Sequence, residues 1–191
     1  MTYSFLIFKT NQNGEEKMKF MLMIANLIES LILKISSIIC WSTALLMLVI
    51  LFNVTMRYGF NNGLIIFEEI QWHLYAIGIM FGLSHAEITN SHVRVDVVAS
   101  RLKPRTILYW EIFGCLFFVL PMVFVFIFNS VDYVASSYQL NEVSSSPLGL
   151  PYRWAIKAVI PISFALLGLA SIARLIRNTH QLYTVGDSNG H

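Results

Sequence analysis

Few side chains in this chain of 191 residues have the type and spacing for chemistry. Glu69 and His73 stand four residues apart, so on a helix they share one face. Two readings stay open for them: a hydrogen-bonded pair at a membrane interface, or a step in a proton relay. His73, His85 and His92 raise a second chemistry, because paired imidazoles can ligate a haem. Such ligation needs two rings facing each other. Both lower candidates, His85 and His92, fall at one end of a single helix and in the loop after it, so a partner would have to supply a ligand. Cys40 and Cys115 lie in apolar runs without a CxxC or a neighbouring His cluster, and read as small buried hydrophobes. The expectation is a chain without catalytic residues and without a metal or cofactor of its own.

The elements that would position these groups follow from composition. Hydrophobic residues make up 56% and charged residues 13%, with mean hydropathy +0.63. A soluble domain carries about 25% charged residues. The surplus apolar surface must face lipid, which excludes a soluble enzyme, a disordered scaffold and a basic nucleic-acid-binding domain. The net charge of +2 is too small to imply polyanion binding.

Four stretches approach the roughly 20 apolar residues that a membrane crossing needs. They are Ile35 to Thr55, Ile70 to Ile88 (the weakest), Tyr109 to Ser130 and Tyr152 to Leu175. None alternates strictly as a barrel strand would, so the spans are helical. Of the 13 Lys and Arg residues, all but Arg57, Arg153 and Lys157 fall on one side of this topology. Both termini and the loop containing Arg94, Arg101, Lys103 and Arg105 are therefore expected to be cytoplasmic. No cleavable signal peptide is recognisable before the first span. Residues 1–17 are expected to be an extension outside the native chain or poorly ordered, and residues 184–191 a flexible tail. Between Met18 and Lys34, the residues Lys19, Asn26, Glu29, Ser30 and Lys34 fall within roughly 140° of a helical wheel. That pattern predicts an amphipathic interfacial helix before the first span, the alternative being a simple extension of that span. The expected fold is all-α: four transmembrane helices plus this N-terminal helix, within a domain covering residues 18–183.

The spans lack what a self-sufficient transporter needs, a mid-depth site built from repeated, broken helices. Pro121 and Pro161 sit in unlike contexts and predict kinks. Lys157 and Arg174 lie near span ends, where long side chains can snorkel, and Glu111 is expected to reach the interface. Gly78, Gly82 and Ala86, each four apart, make a small-residue ladder suited to close helix packing.

Three blocks mark the span boundaries. Arg57-Tyr58-Gly59-Phe60 precedes Phe67-Glu68-Glu69; His92-Val93-Arg94-Val95-Asp96 precedes Pro104; and Gly149-Leu150-Pro151-Tyr152-Arg153-Trp154 precedes Lys157 and Ile160-Pro161. In this order, over roughly residues 18–183, the chain resembles the small membrane subunit, the DctQ-type or Q subunit, of tripartite ATP-independent periplasmic (TRAP) transporters. It departs from the family pattern at Ile66 and Phe67, where a Trp is usual, and at Asn90-Ser91, where a Gly often stands. The resemblance implies a bacterial inner-membrane protein in a sodium-coupled system that imports an organic acid. A large multi-span subunit would carry the substrate and sodium sites. A soluble periplasmic binding protein would dock transiently. The small subunit would pack one-to-one on the scaffold of the large one.

Within that frame Arg57, Asn61, Asn62, Glu142 and Arg153 are candidates to touch the binding protein. For Arg57 the competing reading is an ion pair with Glu68 or Glu69, or a lipid phosphate. Glu68, Glu69, His73, Gly78, Gly82, Ala86, His92, Arg94 and Asp96 are candidate structural or large-subunit contacts. Arg101, Lys103 and Arg105 suit anionic headgroups. The alternatives to this function are a respiratory anchor subunit and a small self-assembling exporter.

Overall fold

A computed structural model describes residues 2–89, 102–146 and 149–187. Among them every regular element is helical: α1 (Thr2–Gly59), α2 (Ile65–Ile88), α3 (Pro104–Gly114), α4 (Leu120–Gln139) and α5 (Arg153–Asp187). A π turn, Cys115–Val119, joins α3 to α4 without a break. Its cause is Pro121. A proline inside a helix has no N–H to donate and its ring crowds the carbonyl four residues earlier. The chain widens there instead, and the Leu120 amide donates to the Cys115 carbonyl five residues back.

α1 is one unbroken helix where an interfacial helix and a separate span were expected. From Met18 to Tyr58 the sequence holds neither Gly nor Pro, so nothing ends the helix before Gly59. At 1.5 Å per residue it is about 87 Å long, far more than the roughly 30 Å hydrocarbon layer. Its inward stripe runs through Ala25, Ile32, Ile39, Leu46 and Asn53, spaced seven apart, with Ile28, Ile35, Ser42, Val49 and Met56 between them. That is the heptad spacing of left-handed helix packing. The polar stripe predicted for the interface divides: Lys19, Ser30 and Lys34 are exposed, while Asn26 and Glu29 both bond Arg177 of α5.

α2 runs antiparallel to α1, since Phe52 meets Phe67 edge-on at 5.0 Å near one end and Ile32 packs with Ile88 near the other. α5 lies at the centre. In its most apolar stretch 44% of residues are buried, against none in that of α1. Leu166 and Ala170 pack on Ile32, and Phe164 and Leu167 pack on Val123 of α4. Gly168 permits this closeness, because a Cβ there would stand 3.0 Å from Val123 Cγ1. Most other large apolar side chains are exposed, as lipid or a partner requires. Three helical stretches are long and apolar enough to cross a membrane: Met18–Gly59, Arg105–Gln139 and Arg153–Leu182. α2, the second expected span, has the length (24 residues) but not the apolarity, because Glu68, Glu69, Gln71, His73, His85 and Glu87 dilute it.

Candidate functional site

The helix order brings the α1–α2 and α4–α5 connections to one end of the bundle, here the upper end. There Glu69, at the start of α2, holds the second connection. The Ser144 hydroxyl donates to Oε1 of Glu69, and the Leu150 amide donates to Oε2 at 2.6 Å. These donors hold the Glu69 carboxyl below the usual carboxylate value, with the Ser144 hydroxyl contributing most. Gly149 is needed for this approach, because a Cβ there would run into Ser144 and the Glu69 carboxylate. His73 does share a helix face with Glu69, but its Nδ1 lies 2.6 Å from the Glu69 backbone carbonyl. The carboxylate itself is spent on the loop. A cleft of about 280 Å³ opens beside this contact, lined by Glu68, Glu69, His73, Arg153 and Ser144 to Ser146.

Glu142 forms a second brace. It accepts from Lys157 and from the Ser137 hydroxyl at 2.7 Å, with Arg153 Nη1 at 3.7 Å. Lys157 and Ser137 hold its carboxyl below the usual value. Its backbone joins in, the Glu142 carbonyl accepting the Arg153 amide. Lys157 does not snorkel outward as expected. Its ammonium turns inward to Glu142 and sits 4.0 Å from the centre of the Tyr133 ring. Glu142 and Arg153, expected to reach toward a partner, thus face each other, although Arg153 stays largely exposed. Asn141 and Tyr152 adopt positive φ, 44° and 62°, at the two ends of the connection. For a bulky residue such as Tyr152 this is a strained conformation.

The first connection is more open. Arg57 Nη1 lies 3.4 Å from Glu68 Oε1, both side chains well exposed. Asn61 takes the left-handed conformation (φ 52°) that Asn tolerates, and Asn62 is exposed beside it.

The lower end carries a network that sequence reasoning missed. Arg174 of α5 lies 3.0 Å from Glu87 of α2 and 3.5 Å from Glu111 of α3. Asn178 donates to Glu111 at 2.9 Å. Arg177 bonds Asn26 at 2.9 Å and Glu29 of α1 at 2.5 Å. Arg174 is therefore turned into the bundle, at 18% side-chain exposure, and not toward headgroups. Its only sequence signal was a pair of lone acids, Glu87 and Glu111, at matching depth in neighbouring helices.

The small-residue ladder also divides. A Cβ on Gly78 would lie 3.6 Å and 3.7 Å from the Ser42 and Thr43 hydroxyls of α1, whereas one on Gly82 would meet no atom of the described residues within 4 Å. Ala86 is half-buried. Cys115 is buried and its thiol donates to the Ser171 carbonyl at 3.4 Å, but Cys40, expected to be buried, is exposed. Lys103 and Arg105 are exposed at the start of α3. His92, Arg94, Asp96 and Arg101 lie outside the described residues.

The DctQ component of the tripartite ATP-independent periplasmic transporters matches residues 46–181, from the upper half of α1 to the last turns of α5. The chain belongs to this family. A TRAP transporter small permease protein of Haemophilus influenzae is 32% identical over 143 residues, covering 70% of this chain and 84% of that relative. Membership of the DctQ family, with the apolar helices, makes the chain a multi-pass inner-membrane component of a TRAP transporter. The matched region contains both upper braces and the Arg174 centre, while α1 up to residue 45 lies before it.

Proposed function

We propose that this chain is the non-catalytic small membrane subunit of a sodium-coupled TRAP transporter for an organic acid. In this reading it packs one-to-one on the scaffold of the large membrane subunit and helps receive the periplasmic binding protein. The large subunit carries the substrate and sodium sites. The observation that carries the reading is the sorting of charge into two belts. Along α2 no Asp, Glu, Lys or Arg stands between Glu69 and Glu87, and along α5 none stands between Lys157 and Arg174. The first separation is about 27 Å and the second about 25 Å along the helix, close to the hydrocarbon thickness. This depth match supports α2 as a fourth span despite its weaker apolarity.

The upper end faces outward, and both termini are cytoplasmic, because basic residues concentrate at the lower end. Arg57, Asn61 and Asn62 are the exposed upper residues suited to the binding protein. Glu69 and Glu142 brace the neighbouring loop. Arg101, Lys103 and Arg105 meet lipid headgroups, and His92, Arg94 and Asp96 fasten the lower face. Neither the respiratory anchor nor the self-assembling exporter is favoured by the family match.

A mild-detergent pull-down of this chain from its native membrane tests the reading. A stoichiometric partner of many spans is expected. Recovery of a haem- or flavin-bearing partner, or of homo-oligomers alone, would overturn it.

A further inference from the structure

We propose that the cleft beside Glu69 binds the headgroup of a zwitterionic aminophospholipid, with its ammonium toward Glu68 and Glu69 and its phosphate toward Arg153. The cleft has a volume of about 280 Å³, and its walls carry both signs of charge. Glu68 and Glu69 come from the start of α2, while Ser145, Ser146 and Arg153 come from the α4–α5 connection and the start of α5. The Glu69 carboxylate takes neutral donors, the Ser144 hydroxyl and the Leu150 amide, and no Lys or Arg of the described residues pairs with it. Glu68 and Arg153 have only long ion pairs, with Arg57 at 3.4 Å and Glu142 at 3.7 Å, and their side chains stay 47% and 43% exposed. All three charges are therefore open to a guest.

The depth of the cleft points to lipid. Glu69 and Lys157 head the charge-free stretches of α2 and α5, so the cleft stands where headgroups meet hydrocarbon. Trp72 lines the cleft, and below it Tyr75 and Ile79 continue along the same side of α2. The three are 71%, 52% and 47% exposed, which gives an acyl chain a bed continuous with the cleft. The charges then select the headgroup. An anion alone would face two carboxylates, and a lone basic side chain of the binding protein would face Arg153. A headgroup with an ammonium and a phosphate a few bonds apart satisfies both. Hydrogen bonding narrows the choice further. His73 Nδ1 lies 2.6 Å from the Glu69 carbonyl, which only accepts, so in the neutral ring Nδ1 holds the proton and Nε2 is left an acceptor. With the two carboxylates this makes the α2 wall rich in acceptors. A primary ammonium brings three N–H donors to such a wall and a trimethylammonium brings none. The ligand is thus an ethanolamine lipid and not a choline lipid.

The test is native mass spectrometry of the full chain in mild detergent, titrated with phosphatidylethanolamine and, separately, phosphatidylcholine of the same acyl chains. One phosphatidylethanolamine should be retained per chain, and phosphatidylcholine should bind about tenfold more weakly. Glu68→Gln and Arg153→Gln should each weaken phosphatidylethanolamine by about tenfold. Asp132→Asn, which removes an exposed acid outside the cleft, should bind like the parent. Equal retention of the two lipids, or parent-like binding by both cleft variants, would overturn the assignment. So would a Glu68→Gln chain that loses capture of the periplasmic binding protein while holding the lipid as before, because the guest would then be a protein side chain. If a cleft variant fails to insert, the comparison of the two lipids on the parent chain decides alone.

Discussion

The Glu69 carboxylate and the Leu150 amide meet at 2.6 Å although 81 positions separate them in the chain. This contact, with the Ser144 hydroxyl, fastens the α4–α5 connection to the start of α2. One side chain therefore sets the shape of a surface that two distant segments make together.

Replacing that carboxylate should free the loop. Glu69→Gln keeps the size but weakens acceptance from Ser144 and Leu150, because charged acceptors make the stronger bonds. Amide exchange over residues 142–150 should quicken by about tenfold, while α5 exchange below Phe164 stays unchanged. Equal exchange in both proteins would show that the loop holds its form without Glu69.

Acid should release the same loop. The folded-state carboxyls of Glu69 and Glu142 sit below the ordinary value of 4.5, so the folded form binds fewer protons than the unfolded one just below that pH. Their stabilisation is complete above the ordinary value and is lost as pH falls through the folded values. Loop protection, taken as the ratio of intrinsic to observed exchange at each pH, should be flat from neutral pH down to about 5 and fall below it. In the double variant Glu69→Gln, Glu142→Gln the acid limb should vanish.

The lower network should dominate bundle stability. Arg174→Gln removes the cation that faces Glu87 and Glu111, and breaking one partner of a buried pair costs about 3 kcal/mol. The thermal midpoint in detergent should fall by several degrees. Arg174→Gln combined with Glu87→Gln should recover part of the loss. A midpoint that does not move would place the network among surface ion pairs of little worth.

Gly168 and Gly82 should respond oppositely to the same change. Gly168→Leu forces α4 from α5 at Val123 and should destabilise by about 1–3 kcal/mol, partly restored by Val123→Ala. Gly82→Leu should leave the isolated chain's melting point unmoved, since no described residue lies within 4 Å of the added Cβ. Similar losses from both would mean that α1 and α2 close over Gly82.

The sequence alone determined that this is a helical membrane chain with charge sorted to its ends, and its boundary blocks pointed to the family. Those properties are local or compositional: apolar surplus, run length, and counts of Lys and Arg need no knowledge of neighbours. The blocks around Arg57, Glu69 and Arg153 also marked the upper end correctly. The Arg57–Glu68 pair was among the readings left open, but what Glu69 and Arg153 touch was beyond reach. Glu69 was paired with His73 by helix spacing, yet its carboxylate turns to Ser144 and Leu150, because helix rotation decides which way a side chain points. Arg174 and Lys157 looked free to snorkel, yet Glu87 and Glu111 of other helices draw Arg174 into the bundle, and Glu142 of the α4–α5 connection takes Lys157. The ladder at Gly78, Gly82 and Ala86 read as one packing face, but of its two glycines only Gly78 stands near described side chains of α1, and Ala86 is half-buried. Only the tertiary structure settles such matters, because pairing energy depends on the distance between segments and not on their order in the chain.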